Sequence, residues 1–138
     1  MTTLYQDIRG ALQSQLATVT GIPALAYEGF PYKPVRGTPY CDCVLVPTSG
    51  RPYTLGTAHL IDHEGTFEVG VTYPSGVGTG TAEAMADAIK AKFTAATTIT
   101  QGTTIVRIRS SERRQALVDT DWIRIPVSVR WYLFSQTY

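Results

Sequence analysis

The stretch from Thr66 to Phe93 changes its hydrophobic period once, and that change constrains the fold more than any other feature of the chain. Phe67, Val69, Val71 and Tyr73 alternate with Thr66, Glu68, Gly70 and Thr72, the period-two pattern of a half-buried strand. Pro74-Ser75-Gly76 ends it, because proline has no N–H to give a ladder. From Thr81 the period is helical: Ala82, Met85, Ala86, Ile89 and Phe93 share a stripe, with Glu83, Asp87 and Lys90 opposite. A strand and a helix with one apolar face each close only against one another, so the helix is expected on the sheet face that carries Phe67 and Val71.

The connection from Gly76 to Thr81 is glycine-rich, and such a turn between strand and helix can cradle a phosphate on its N–H groups. A small phosphate-binding enzyme is therefore one reading. The specific patterns are missing, however. No lysine follows Gly80, and three residues after Gly78 stands Thr81 rather than glycine. A flexible connection is preferred, with no nucleotide or other cofactor.

The remaining elements follow from the same periodicities. Thr3 to Val19 reads as an amphipathic helix with Leu4, Ile8, Ala11, Leu12 and Leu16 on its stripe; Thr3 and Gln6 form a capping box, and Gly21 and Pro23 stop it. Ile22 to Tyr27 is a short edge piece, and Tyr40 to Val46 is a strand with Cys41, Cys43 and Leu45 on one face. Pro47 to Gly56 reads as a long hairpin connection, and His63-Glu64-Gly65 as a turn. Thr94 to Gly102 is a connection, Thr103 to Arg109 a strand, and Gln115 to Val118 a short paired piece. Asp121 to Phe134 is the longest strand. Ile123, Ile125, Val127, Val129, Trp131 and Leu133 alternate with Trp122, Arg124, Pro126, Ser128, Arg130 and Tyr132, and Pro126 predicts an edge position or a bulge. The sum is an α+β fold, a mostly antiparallel sheet with two helices packed on one face. With 138 residues, one domain spanning 1–138 is expected.

Composition matters mainly for what it excludes. A net charge of +1 gives no general field for nucleic acid or anionic membrane. No apolar run approaches the length of a membrane span and no leader precedes the first helix, so synthesis in a cytoplasm is expected. Cys41, Cys43, His59 and His63 are all the cysteines and histidines, enough in number for a zinc site. The Cys-x-Cys spacing is tighter than the usual zinc knuckle, so buried thiols are preferred and no metal is expected. No serine, histidine and carboxylate pattern supports catalysis, and no enzyme activity is expected.

The sheet face away from the helices is the informative surface. Arg107, Arg109, Arg124 and Arg130 are expected there with Trp122, Tyr132 and Ile105, among the residue types enriched at protein interfaces. The arginines are expected to pair with acidic residues of a neighbouring subunit, such as Glu64, Glu68, Asp119 or Asp121. Arg51 and Tyr53, in the 47–56 connection, complete the candidate interface set.

Three stretches carry a family resemblance. They are Ile22-Pro23 with Tyr27-Glu-Gly-Phe-Pro-Tyr32, Val69-Gly-Val-Thr-Tyr-Pro-Ser-Gly-Val-Gly-Thr-Gly80 before an alanine-rich helix, and Trp122-Ile-Arg-Ile-Pro-Val-Ser-Val-Arg-Trp-Tyr132. In this order, over about residues 22–132, the chain resembles the tail terminator and minor tail protein U family of long-tailed bacteriophages. The resemblance implies a structural protein of the virion tail, without enzyme activity. It implies a homo-oligomeric ring of six that caps the tube of major tail protein and then meets the head completion (neck) protein, with DNA passing through the lumen without sequence-specific binding. A neck or adaptor protein on the same architecture is the alternative within the resemblance.

Overall fold

The computed structural model describes residues 3–27, 29, 33, 37–52, 61–77, 79–102 and 104–135, with backbone alone for 49–52, 77, 79 and 135. Helix α1 (Leu4–Ala17) opens with the expected capping box. The Gln6 N–H donates to the Thr3 hydroxyl at 3.3 Å, and the Thr3 N–H donates to the Gln6 side chain at 2.8 Å. Ile8, Ala11, Leu12 and Leu16 are its buried stripe. Helix α2 (Thr79–Lys92) buries Ala82, Ala86 and Ile89, and Phe93 just beyond its end is buried with them.

Seven strands form one sheet among the described residues: β1 (Ala24–Ala26), β2 (Tyr40–Pro52), β3 (Ile61–Pro74), β4 (Thr98–Gln101), β5 (Thr104–Arg113), β6 (Leu117–Val118) and β7 (Trp122–Ser135). The order is β1-β2-β3-β7-β5-β4, with β6 also on β7. One continuous core joins the inward side chains of the sheet to both helices; Phe67 packs on Phe93 with ring centroids 6.2 Å apart. The fold is α+β, but the expected mostly antiparallel sheet with both helices on one face needs correction. β1 runs parallel to β2, so the sheet is mixed, and it curls into a half-barrel. Two causes of curl are present: strands of 13 and 14 residues accumulate twist, and β2 and β5 each carry a register shift, at Pro47/Ser49 and Ile108/Ser110. The helices consequently meet different parts of the sheet, α1 against β4 and β5, α2 against β3, β5 and β7.

Three sequence expectations fail at glycine or proline, each for a local reason. His63-Glu64-Gly65 is not a turn; β3 runs through it, and Gly65 pairs with Pro47 and Trp131. A Cβ at Gly65 would lie 2.5 Å from the Val46 carbonyl oxygen and 2.7 Å from the Trp131 ring, so glycine here makes room for the indole. The expected 47–56 connection does not begin at Pro47, and its residues 53–56 lie outside the described residues. β2 continues to Pro52 opposite Ile61, and Pro47 is accommodated at the register shift. Pro126 lies in a central strand, so of the two expectations, an edge or a bulge, the edge fails. In an antiparallel strand one residue's N–H and C=O point to the same neighbour. The Pro126 carbonyl accepts from the Arg114 N–H at 2.9 Å, on the side where β5 ends and β6 has not begun, so its missing N–H costs no ladder bond. A fourth expectation missed an element, since β4 lies inside the 94–102 stretch read as a connection.

Candidate interface face

The outer face of the half-barrel is built by the even-numbered residues of β2, β3 and β7 and by Ile105 and Arg107 of β5. Their odd or alternate neighbours, among them Cys43, Phe67, Val106, Val127 and Trp131, are buried in the core. Trp122 and Tyr132 are half-buried on the outer face, and Arg107, Arg109 and Arg130 are exposed there, as the alternation predicts. Exposed on the same face are Val44, Val46, Ile105 and Phe134, while Leu117 and Val118 on β6 are 59% and 70% exposed. Arg51 lies in β2 opposite Asp62, with no side-chain description, and Tyr53 is outside the described residues.

The polar groups of this face are largely paired within the chain, which corrects the expectation that Glu64 and Glu68 await a neighbour. The Ser128 hydroxyl donates to Glu68 at 2.8 Å and accepts from Arg114 Nε at 2.8 Å. Arg109 approaches Glu64 at 3.9 Å and stacks its guanidinium 4.5 Å over the Tyr132 ring. Arg124 crosses above β3 to reach Asp42 on β2 at 2.7 Å. Gly70 permits that crossing, because a Cβ there would overlap the guanidinium. Arg107, Arg130, Glu112 and Asp119 have no ion pair among the described residues.

This strap gives a prediction. Both partners are about one-third exposed, so Arg124→Ala should cost only about 1 kcal/mol in a urea melt. Gly70→Ala evicts the same guanidinium, so the double variant should lose less than the sum of the two single losses. Strict additivity would show that Gly70 matters for something other than Arg124.

Among the described residues, two clefts open on this face. One, of about 270 Å³, is lined by Thr48, Glu64, Thr66, Arg109 and Arg130, with Trp131 at Gly65. The other, of about 260 Å³, lies at the opposite end of β7 between Tyr40, Leu117, Val118, Asp119, Trp122 and Arg124. Tyr40 and Trp122 meet edge to face there at 5.9 Å.

Among the described residues, which leave out His59 and Gly78, the other candidates are not assembled into sites. Cys41 and Cys43 are buried on β2, and burial, the neighbouring Cys43 and Asp42 push the Cys41 thiol well above its ordinary range. His63 lies six residues along β3 from Val69, the partner of Cys43, or about 20 Å away. His63 is buried and shares a 3.0 Å hydrogen bond with the Tyr5 hydroxyl. His59 lies outside the described residues. In the glycine-rich stretch, Ser75–Val77 is a single 3-10 turn and α2 already begins at Thr79. Ser75 is held by the backbone carbonyls of Thr120 and Asp121, which sets the turn beside two aspartates, Asp119 and Asp121, a poor neighbourhood for phosphate.

Comparison with known proteins then places the chain. A family model described as phage tail terminator protein matches residues 7–131. No curated protein sequence matches. A solved structure that carries no functional description shares the fold at a TM-score of 0.72 with 22% identity, covering 93% of this chain and 94% of that one. A chain of a structure described as the virion of a native gene transfer agent particle does so at 0.60 with 21% identity, covering 98% and 100%.

Proposed function

Because the chain belongs to the phage tail terminator family, we propose that it assembles into a ring of six that caps the tube of major tail protein and stops its growth. Members of the family are structural proteins of the virion tail, and this chain is one. In the proposed role the capped end then receives the head completion protein, and DNA passes through the lumen. The role is structural rather than catalytic, and the domain spanning 1–138 acts as one unit of the ring.

The observation that carries the assembly reading is the outer face. Its aliphatic and aromatic side chains lie exposed beside Arg107 and Arg130, which no described acid neutralises. Solvated sheet faces are normally polar, and a face of this composition fits burial against protein. Among the described residues no helix is long and apolar enough to cross a membrane. The fold shared with a chain of a gene transfer agent virion is compatible with a place in a particle.

Electron microscopy of lysates from a phage lacking this gene tests the reading. Tail tubes of uncontrolled length, without heads, are expected, and purified protein added during assembly should restore the normal length. Headless tails of normal length would instead identify a neck or adaptor protein.

A further inference from the structure

The outer face is not uniform along the strands, and its two ends are complementary. At the end where β7 finishes, Arg107, Arg109 and Arg130 surround Val46, Ile105 and Tyr132. Where β7 begins, Asp119 lies beside Leu117, Val118 and Trp122, with Arg124 held by Asp42. Arg130 stands eight residues along β7 from Trp122, about 27 Å at the rise of an antiparallel strand. Each end thus has apolar anchors beside charge; Glu64 at the basic end is approached by Arg109 and Arg124 at the acidic end is engaged by Asp42, and the charges left over are opposite in sign. Arg107 and Arg130 at one end, and Asp119 at the other, make no ion pair with a described residue of their own chain.

From this we infer that the basic, aromatic end of one copy docks on the acidic, aliphatic end of the next, a head-to-tail contact between copies of this chain. The occupant of each end is a second copy because the complementary surface is on the same molecule. Two like ends repel, so a two-fold contact that sets basic on basic or acidic on acidic is disfavoured. A head-to-tail contact repeats around a rotation axis and closes as a ring if the rotation divides the circle. The inference rests on the ring proposed above and names the surfaces that build it. Exposed Leu117 and Val118 supply apolar area, and Arg107 and Arg130 supply planar, multidentate donors for Asp119.

Cysteine cross-linking in the whole protein tests it. Val118→Cys marks the acidic end and Ile105→Cys the basic end, both at exposed positions. The native Cys41 and Cys43 are buried, so a short bis-maleimide reads the introduced thiols. The variant with both cysteines should give a ladder of covalent oligomers ending at the ring size, and either single variant should give monomer. Arg130→Asp or Asp119→Arg, added to the two-cysteine variant, should reduce the ladder at least tenfold, and the two reversals together should restore it. Efficient dimers from one single variant would overturn the inference, because like ends would then meet. Rings seen by light scattering or on tube ends, with no ladder from the two-cysteine variant, would also overturn it while leaving the ring standing. Absence of rings both in solution and on tail tubes would overturn the ring, and the inference with it.

Discussion

Trp131→Ala is expected to cost about 3–5 kcal/mol of folding stability, the range for truncating a buried large aromatic. The indole is 1% exposed and lies over Gly65, edge-on to Tyr5 at 6.5 Å between ring centroids. Gly65 has no side chain that could move into the vacated volume, so the cavity stays. Trp131→Phe should cost far less. It refills part of the space and removes an indole N–H that finds no hydrogen-bond partner among the described residues. Urea denaturation of the purified protein measures both. If alanine costs no more than phenylalanine, packing over Gly65 is not what holds this end of the core.

The second large effect falls on the neighbouring alternation. Trp122 is on the outer face, half-buried against Tyr40, and belongs to no part of the core. Trp122→Ala should therefore leave the monomer folded and weaken each proposed subunit contact by about 2–4 kcal/mol, the cost of truncating an aromatic hot spot. Because rotational symmetry repeats the substitution at every contact, light scattering should report monomer where the unmodified protein reports rings. The measurement has a built-in control. A monomer that unfolds when Trp122 is truncated, with a ring that merely dissociates when Trp131 is, would mean that the strand presents its faces the other way round.

That pair of tryptophans also shows what was legible in the sequence. Strict alternation over fourteen residues assigned both faces of β7, and the change from period two to a helical period located β3 and α2, because burial on one side of an element writes its period directly into the chain. What was not legible depends on partners distant in sequence. Gly65 reads as a turn until Trp131 is seen above it, and nothing around Gly70 in sequence announces that Arg124 crosses it to reach Asp42. Pro126 reads as an edge until the gap between β5 and β6 is seen beside it. β4 was missed because Thr98-Ile-Thr-Gln buries only Ile99, which leaves no pattern to detect. On the candidate face, residue types located the arginines and aromatics, but their pairing was not predictable. Glu64 and Glu68 are engaged within the chain because register, invisible to composition, sets them beside Arg109 and Ser128.

The place of β7 between β3 and β5 has a consequence for how the chain reaches this fold. The hairpins β2–β3 and β4–β5 join neighbours in sequence and can zip locally. The β3–β7 ladder pairs Pro74 with Trp122 at its near end and Ile61 with Ser135 at its far end, so it closes a large loop before it returns any contact energy. Such a topology folds on the slow, millisecond-to-second side of small domains. Until β7 arrives, the long sides of β3 and β5 are bare templates for a strand from any other chain. The strand that carries the outer face of the proposed ring contact is thus also the one whose timely arrival keeps premature neighbours away.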